Sequence, residues 1–466
     1  MSLNLSFLGA AGTVTGSKHL LRVNHDHYLI DCGLFQGSKD WREKNWHPFP
    51  ESAQQLKAVF LTHVHLDHCG YLPRLVKEGF QGPIHCTQAT AELLPLMLED
   101  SAHIQEEDAR YANFKGYAKH PPALPLYTAA DVKATLSLIK IHPYGEEIEA
   151  DHHLSVRFHP NGHLLGSAWV ECIATIKRQA IKVFFSGDLG RYHDELMRPP
   201  IAMAGPADYV IIESTYGNRI HPTVAEARQH LAEIINRTVQ RGGTVVIPAF
   251  AVGRTTVMLY HLRRLEEAGL IPTLPIFVDS PMATDATEIY AAFGTELNLQ
   301  VNLIGSLKQT SPLRCQRLEF LRSMDESKRL NSLTDPCIII SASGMASGGR
   351  VLHHLVRRLP DPKHTILTVG YQADGTRGRM LQQGVKEVKI RGRLIPVNAE
   401  IAKLDGLSAH GDQHDLLQWM GTLSEKPKLT FLVHGDQEGL NGLSEKLMER
   451  GFPTHIPDYQ ETVALT

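Results

Sequence analysis

The densest set of metal-binding side chains lies in residues 63–68, which read His-Val-His-Leu-Asp-His. An apolar run precedes them and predicts a buried strand. Along an extended exit from that strand, His63 and His65 lie on one side. Asp67 and His68 follow after the chain has turned, so they face a second point. Imidazole and carboxylate are good ligands for zinc-like metals, and the spacing therefore predicts two adjacent ions rather than a merely histidine-rich polar loop.

Two further side chains, His163 and Asp188, complete a metal-binding set. His163 lies in a loop between predicted strands, and Asp188 ends an apolar strand in a Ser-Gly-Asp turn. A catalytic zinc ion takes three protein ligands and keeps one position open. A carboxylate has two oxygens, which suits it to bridge two ions. The predicted ligands are His63, His65 and His163 for one ion, Asp67 and His68 for the other, and Asp188 between them.

The bulk composition is that of a globular protein. The chain has 466 residues, of which 42% are hydrophobic and 21% charged, with a net charge of −3. This length suits two or three domains, and any nucleic acid must be held by a local basic patch. Six cysteines without a CxxC pair predict free thiols in a reducing compartment. With no recognisable signal peptide or membrane-spanning run, we expect a cytoplasmic protein that does not bind a membrane.

The order of predicted elements divides the chain into three parts. Residues 1–206 contain strands and loops that carry the histidine motif, and a mainly helical, polar stretch over residues 100–150. From residue 207 to residue 394, strands alternate with helices, a pattern typical of a parallel sheet covered by helices. Residues 395–466 return to strand, loop and helix. We therefore expect a separate α/β domain over residues 207–394.

The histidine motif, with Asp31 before it, resembles the metallo-β-lactamase fold. The segments IIESTYG, LSAHGD and FLVHGD, which carry Glu213, His410 and His434, resemble the β-CASP subfamily of nucleic-acid nucleases. The resemblance covers essentially the whole chain and is to the RNA branch, because the last motif ends in histidine rather than an apolar residue. It implies an α/β fold, in which an αββα sandwich of residues 1–206 and 395–466 carries the inserted β-CASP domain.

The resemblance also implies a role for each matching residue. His434 would be a third ligand of the second ion, and Asp31 would fix a ligand imidazole by a hydrogen bond. His410 would contact the scissile phosphate and donate a proton to the leaving oxygen, while Glu213 orients it. The implied metal ligands are His63, His65, Asp67, His68, His163, Asp188 and His434, and the implied catalytic residues are His410, Glu213, Asp67 and Asp188.

This residue set matches what phosphodiester hydrolysis requires. Two metal ions activate the attacking water and neutralise charge on the phosphate oxygens. The leaving sugar oxygen still needs a proton, for which a histidine aligned by a carboxylate is suited. We expect two zinc ions, although the same ligands also suit manganese.

A Gly/Ser-rich segment, residues 341–350, follows a predicted strand and opens a helix. Small residues allow backbone N–H groups to approach a phosphate at a helix N-terminus, although tight packing explains such a segment equally simply. Residues 377–393 contain six basic residues and one acid, which predicts either a solvated face or a patch for the RNA backbone. The predicted phosphate or RNA contacts are Ser341, Ser343, Gly344, Ser347, Gly348, Arg350 and Arg377.

We therefore predict a metal-dependent ribonuclease that hydrolyses single-stranded RNA, with the β-CASP domain capping the metal site. Three alternatives are a small-molecule thioester or lactone hydrolase, a DNA nuclease, and a non-catalytic RNA-binding subunit. The large α/β domain argues against a small-molecule hydrolase, and His434 argues against a DNA nuclease. The intact ligand set argues against a non-catalytic subunit. The sequence leaves open endo- or exonucleolytic cleavage, the physiological RNA and the oligomeric state, a homodimer included.

Overall fold

The computed structural model describes residues 2–116, 121–203, 205–298, 311–373 and 375–466. These residues form two compact units. Unit 1 comprises Met1–Tyr192, Met197–Ile220 and His410–Thr466, and unit 2 comprises His193–Leu196 and His221–Ala409. Among the described residues, none of the helices combines the length and apolar character needed to cross a lipid bilayer.

Most strands are short, and many of their buried positions are β-branched or aromatic residues, which favour a pleated, half-buried backbone. In chain order they are β1 Leu3–Phe7, β2 His19–Val23, β3 Asp26–Ile30, β4 Leu56–Phe60, β5 Ile84–Thr87, β6 Ile139–His142, β7 Ile148–Asp151, β8 Leu154–Pro160, β9 Ala168–Ile176, β10 Gln179–Phe185, β11 Tyr209–Glu213, β12 Val245–Pro248, β13 Ile276–Asp279, β14 Leu318–Phe320, β15 Ile338–Ser341, β16 Thr365–Val369, β17 Glu387–Ile390, β18 Arg393–Pro396, β19 Glu400–Leu404, β20 Leu429–Val433, β21 Thr454–His455 and β22 Thr462–Ala464.

Several helices begin at a Ser, Thr or Asp that accepts a backbone N–H, and Thr128 and Thr223 form full capping boxes. The helices are α1 Lys39–Glu43, α2 Leu66–Cys69, α3 Leu72–Lys77, α4 Gln88–Lys115, α5 Ala129–Leu136, α6 Val224–Gln240, α7 Arg254–Glu267, α8 Pro281–Ala292, α9 Met324–Arg329, α10 Val351–Arg358, α11 Arg377–Gln382, α12 Gln413–Met420 and α13 Gln437–Glu449.

Unit 1 is a sandwich of two seven-stranded sheets. Their strand orders are β22-β1-β2-β3-β4-β5-β6 and β21-β20-β11-β10-β9-β8-β7. Buried side chains from both sheets, such as Phe60, Phe158 and Phe431, form the core between them. Leu416 and Leu443 bring α12 and α13 onto the outer face of the second sheet, and α4 contacts β5 and β6 of the first. The predicted αββα arrangement is confirmed.

Unit 2 is built on a six-stranded sheet of order β14-β13-β15-β12-β16-β19, in which every pair of neighbours is parallel. The antiparallel pair β17 and β18 lies beside it as a small hairpin. The parallel α/β fold predicted for this region is confirmed. The predicted domain limits, 206/207 and 394/395, lie upstream of the divisions between the units, because β11 pairs within unit 1 and β19 within unit 2.

Candidate active site

The polar side chains of interest lie at the carboxyl ends of parallel strands in unit 1. In the first sheet, β3 and β4 are parallel neighbours, and Asp31 and the histidine motif follow them. In the second sheet, β10, β11 and β20 are parallel, and Asp188, Glu213 and His434 lie at their ends. Because parallel strands end at the same edge of a sheet, residues distant in sequence meet here.

The backbone of the histidine motif is held by two neighbouring loops. The N–H of Cys32 donates to the carbonyl of His68, and the N–H of Ser17 donates to that of Asp67 at 2.8 Å. Gly33 lies so close that a Cβ there would be 1.6 Å from the Asp67 carbonyl oxygen. A side chain at Gly33 would therefore displace the turn that carries Asp67 and His68.

The first group of ligand atoms comes from three histidines and Asp188. Nδ1 of His65 lies 3.1 Å from Nε2 of His63 and 3.2 Å from Nε2 of His163. Oδ2 of Asp188 is 3.4 Å from Nε2 of His63 and 3.6 Å from Nε2 of His163. Two nitrogens 2.0–2.1 Å from a tetrahedral zinc ion are separated by about 3.3 Å, so these separations fit one ion.

The second group contains His68, His434 and Asp67. The two Nε2 atoms of His68 and His434 are 3.2 Å apart, and Oδ2 of Asp67 is 3.5 Å from Nε2 of His434. Oδ1 of Asp188 is 3.2 Å from Nε2 of His68. Because its two oxygens face the two groups separately, Asp188 lies where a bridging carboxylate is expected.

Hydrogen bonds behind the ligands decide which nitrogens carry protons. Nδ1 of His68 lies 2.6 Å from Oδ2 of Asp31, a carboxylate that can only accept, so Nδ1 is the protonated atom. The hydroxyl of Thr62 donates to Asp31 and so accepts from Nδ1 of His63 at 3.0 Å. In the neutral, ligating form, each of these two rings would therefore present Nε2 as a lone pair to its ligand group. The donor set fits metal binding better than it fits any hydrogen-bonding scheme of neutral imidazoles.

Charges in the site interact strongly because most of the proposed ligands are buried. Burial lowers the pKa of His65 to about 3, which favours the neutral, ligating form. Burial alone would raise the pKa of Asp188, but the imidazoles of His434 and His68 hold it well below its usual range. Oδ1 of Asp188 is buried and accepts no hydrogen bond from the described part of the chain. An orphaned carboxylate oxygen facing imidazole nitrogens is what a cation would satisfy.

His410 and Glu213 form a pair beside the ligands. Nδ1 of His410 donates to the Glu213 carboxylate at 3.0 Å, and its Nε2 lies 3.8 Å from Oδ2 of Asp188. Glu213 is buried and also accepts the N–H of Leu189 at 2.6 Å, which fixes its position. Burial opposes protonation of His410, but Glu213 and Asp188 together raise its pKa to about 9.

Sequence reasoning missed two threonines that orient ligands. Thr62 bridges Asp31 and His63, and the Thr215 hydroxyl lies 3.1 Å from Nδ1 of His434 while donating to the His434 carbonyl. Both lie next to motif residues, in LTHVH and ESTYG, so their proximity was visible in the sequence. Their hydrogen-bond partners follow only from the fold.

The Gly/Ser-rich segment of unit 2 has internal partners that the sequence did not indicate. The buried Ser341 hydroxyl donates to the Asp279 carbonyl, and Oγ of Ser343 accepts the N–H groups of Ser347 and Gly348. A Cβ at Gly344 would be 2.9 Å from Phe250. These contacts favour a packing role for the segment, and a role in phosphate binding stays a prediction.

The two arginines predicted to contact phosphate or RNA, Arg350 and Arg377, also form hydrogen bonds within unit 2. Arg350 pairs with Asp279 at 2.9 Å and donates to the carbonyl of Arg322. Arg377 donates to the carbonyls of Ser347 and Lys389. Both guanidinium groups therefore stabilise the backbone of unit 2. The exposed basic residues within 377–393 are Arg379, Lys386, Lys389, Arg391 and Arg393.

Comparison with known proteins bears on this site directly. Three family models match the chain: a Beta-lactamase superfamily domain over residues 27–240, a Beta-Casp domain over residues 255–381, and a Zn-dependent metallo-hydrolase RNA specificity domain over residues 394–457. Ribonuclease TTHA0252 of Thermus thermophilus is 35% identical over 98% of this chain and 98% of its own length. The chain belongs to the β-CASP family. The resemblance found in the sequence is thereby confirmed.

Other relatives of the chain include a transcription termination factor. The transcription termination factor FttA of Methanosarcina mazei is 32% identical over 96% of this chain and 69% of its own length. A crystal structure of an Enterococcus faecalis protein of unknown function covers 100% of both chains with a TM-score of 0.53 at 13% identity, which supports the fold alone. Together with the side-chain groups described above, membership of this family of metallo-hydrolases establishes a metal cofactor.

Proposed function

We propose that this protein is a ribonuclease that hydrolyses single-stranded RNA at a site holding two zinc ions. The observation that carries the proposal is the position of Asp188. Its two carboxylate oxygens face two separate groups of ligand nitrogens at 3.2–3.6 Å. A ribonuclease and a termination factor among the relatives support RNA as the substrate.

The ligands would be shared between the ions as the two groups suggest. His63, His65 and His163 would hold one ion, and Asp67, His68 and His434 the other, with Asp188 between them. When bound, the ions would lower the pKa of water and neutralise charge on the phosphate oxygens. Asp31, Thr62 and Thr215 would keep the ligand imidazoles in the right tautomer and orientation.

His410 would act as the general acid. Glu213 holds Nδ1 of His410, so Nε2 is the atom that presents a proton to the site. Water attacks phosphorus and releases one proton to the solvent, the bond from phosphorus to the leaving sugar oxygen breaks, and that oxygen takes the proton from Nε2, which His410 later regains from the solvent. The products are a phosphate monoester and a free hydroxyl.

A single strand fits this site better than a duplex. Most of the proposed ligands are buried, and the side chains of Asp67 and His410 are only 19% and 17% exposed. A phosphate must enter the recess to reach them, which a flexible single strand does more readily than a rigid helix.

The six cysteines are all buried and unpaired, which supports the proposed cytoplasmic location.

The test uses one unstructured RNA labelled separately at its 5′ and 3′ ends and protein of measured zinc content. We expect cleavage that a chelator abolishes and zinc restores, and that His410→Ala slows by about a hundredfold or more. Labelled mononucleotide released first from one end would define an exonuclease, and internal fragments from both labels an endonuclease. Zinc-loaded protein that cleaves a thioester or lactone but no RNA would overturn the proposal.

A further inference from the structure

One buried side chain of unit 1 contacts two loops that each carry a ligand of the first group. Asn161 is 0% exposed and lies two residues before His163, whose N–H donates to Oδ1 of Asn161 at 3.3 Å. Nδ2 of Asn161 donates to the carbonyl of Ser186 at 3.0 Å, and Ser186 lies two residues before Asp188. The carboxamide therefore joins the two loops through one acceptor and one donor.

The backbone of Asn161 adds a second connection to the loop that carries Asp188. The carbonyl of Asn161 accepts the N–H of Gly190 at 2.8 Å, so the same residue holds the chain on both sides of Asp188. The two loops touch at this point, because a Cβ at Gly190 would lie 2.1 Å from the carbonyl oxygen of Gly162. A shift of Asn161 would therefore move the backbone of both loops.

The imidazole of His163 depends on its backbone more than those of His63 and His68 do. Nδ1 of His63 and Nδ1 of His68 each have a side-chain oxygen as hydrogen-bond partner, at 3.0 Å and 2.6 Å. Nδ1 of His163 is buried, and no group in the described part of the chain forms a hydrogen bond with it. The position of this ring is therefore set by packing and by the backbone that Asn161 holds.

We propose that Asn161 is a positioning residue for the first metal ion, because it sets the separation between His163 and Asp188. Nε2 of His163 lies 3.6 Å from Oδ2 of Asp188, and tetrahedral coordination requires a defined separation between the ligand atoms. A carboxylate at position 161 would have no donor for the Ser186 carbonyl, and an alkyl group would satisfy neither partner. Only an amide serves both contacts.

The inference rests on the proposed function for the presence of the ion, while the hydrogen bonds of Asn161 do not depend on it. The test therefore measures zinc affinity at each ligand group separately. His434→Ala removes a ligand of the second ion, and His65→Ala removes a ligand of the first. Asn161→Leu is added to each protein, and the zinc dissociation constant is measured by competition with a chromophoric chelator.

In the His434→Ala protein we expect Asn161→Leu to lower zinc affinity by about ten- to hundredfold, the usual effect of removing a group that orients a metal ligand. In the His65→Ala protein the loss should be smaller, because His163 does not bind the second ion. Asn161→Ser keeps an acceptor for the N–H of His163 but is too short to reach Ser186. It should show a loss in the same direction and decides the test if Asn161→Leu does not fold.

Asn45 provides the matched control. It is a buried asparagine of the same unit whose carboxamide also bonds to backbone, accepting the N–H of Phe35 at 2.9 Å and donating to the Phe35 carbonyl at 2.8 Å. Asn45→Leu should lower the stability and leave the affinity for the first ion unchanged. An equal loss of affinity in Asn45→Leu, or no loss in the Asn161 variants, would overturn the inference.

If the His434→Ala protein binds no zinc, the proposed assignment of the ions fails, and amide hydrogen exchange of the metal-free protein decides the inference separately. Faster exchange in Asn161→Leu that is confined to residues 162–166 and 186–190 would support the positioning role. Exchange that is unchanged in these segments, or faster throughout unit 1, would overturn it.

Discussion

Two aspartates occupy equivalent places in the two units but have opposite surroundings. Asp188 follows β10 in unit 1, and Asp279 ends β13 in unit 2, so each lies at the carboxyl end of a parallel strand. Both are almost fully buried, at 1% and 0% exposure. A buried carboxylate is costly unless its charge is compensated, and the two units compensate it differently.

In unit 2 the compensation comes from the protein. Asp279 pairs with Arg350 at 2.9 Å, and it accepts hydrogen bonds from His354 and Ser327, both at 2.7 Å. His354 in turn accepts from the buried Arg358. The cluster is closed, since both carboxylate oxygens of Asp279 accept hydrogen bonds from side chains of the same unit.

In unit 1 the protein leaves the compensation incomplete. The ion-pair partners of Asp188 within the described residues are all histidines, at 3.2–3.8 Å, and its Oδ1 accepts no hydrogen bond. In their neutral forms, His63 and His68 would each present Nε2 as a lone pair, because Nδ1 of each ring carries the proton. The comparison teaches that buried Asp-His clusters differ in whether their hydrogen bonds close, and the open one is where we propose that metal binds.

The largest effect should follow from removing the open carboxylate. Asp188→Asn keeps the shape but loses the charge that both ligand groups share, so we expect zinc content to fall. RNA cleavage should drop by about a thousandfold or more, since metal ions contribute several kcal/mol to the barrier. The control is Asp26→Asn, which removes a half-buried carboxylate paired with the exposed Lys57 in the same unit. Full zinc content and activity in Asp188→Asn would contradict the assignment of the open cluster.

A change beside the open cluster should separate catalysis from metal binding. His410→Ala should lower kcat by about 10²–10⁴-fold, the usual contribution of a general acid, while the zinc content stays that of the wild type. Glu213→Gln keeps His410 in place with a weaker partner, so its loss of kcat should be smaller. Elemental analysis and single-turnover cleavage measure the two quantities. A loss of zinc in His410→Ala would instead make His410 a ligand.

Opening the closed cluster should affect stability rather than metal binding. Asp279→Asn leaves Arg350 without its countercharge, and breaking a buried ion pair costs about 3–5 kcal/mol. We expect a lower denaturation midpoint and an unchanged zinc content, measured by urea unfolding and elemental analysis. Asp405→Asn, which removes an exposed carboxylate paired with Lys403 in the same unit, is the control. Loss of zinc without loss of stability in Asp279→Asn would contradict the comparison, because it would assign metal binding to the Asp279 cluster.

The smallest expected effect is on acid unfolding. Burial would raise the pKa of Asp279, but His354, Ser327 and Arg350 lower it below its ordinary value of 3.8. Since the folded pKa is the lower one, the stabilisation is present above about pH 4 and is lost as the pH falls further. Asp279→Asn should therefore reduce the acid dependence of stability below pH 4. If the stability of Asp279→Asn fell as steeply below pH 4 as that of the wild type, Asp279 would not contribute to the acid dependence.

The sequence indicated those residues of the candidate site that lie close together in the chain. The ligands His63, His65, Asp67 and His68 lie within six residues and follow a strand, so their convergence was predictable. The αββα sandwich and the parallel sheet followed from element order and family resemblance. Glu213, His410 and His434 came from that resemblance, because their convergence depends on pairing between β11 and β20.

What the sequence did not reveal depends on long-range contacts. Arg350 was assigned to phosphate, but its partner Asp279 is seventy-one residues away, and no local pattern indicates that pair. Thr62 and Thr215 were passed over because a hydroxyl has no distinctive spacing. The rings of Phe35 and Tyr459 come from opposite ends of the chain, and only the fold brings them into contact.

The central claim, that the open cluster holds two metal ions and cleaves RNA with them, has one direct measurement. Metal-free protein is titrated with zinc, and the initial rate of RNA cleavage is followed against the number of equivalents bound. The proposed site predicts no cleavage without metal and a rate that reaches its maximum at two bound ions per chain. A maximum at one ion, or cleavage that persists in the metal-free protein, would contradict it.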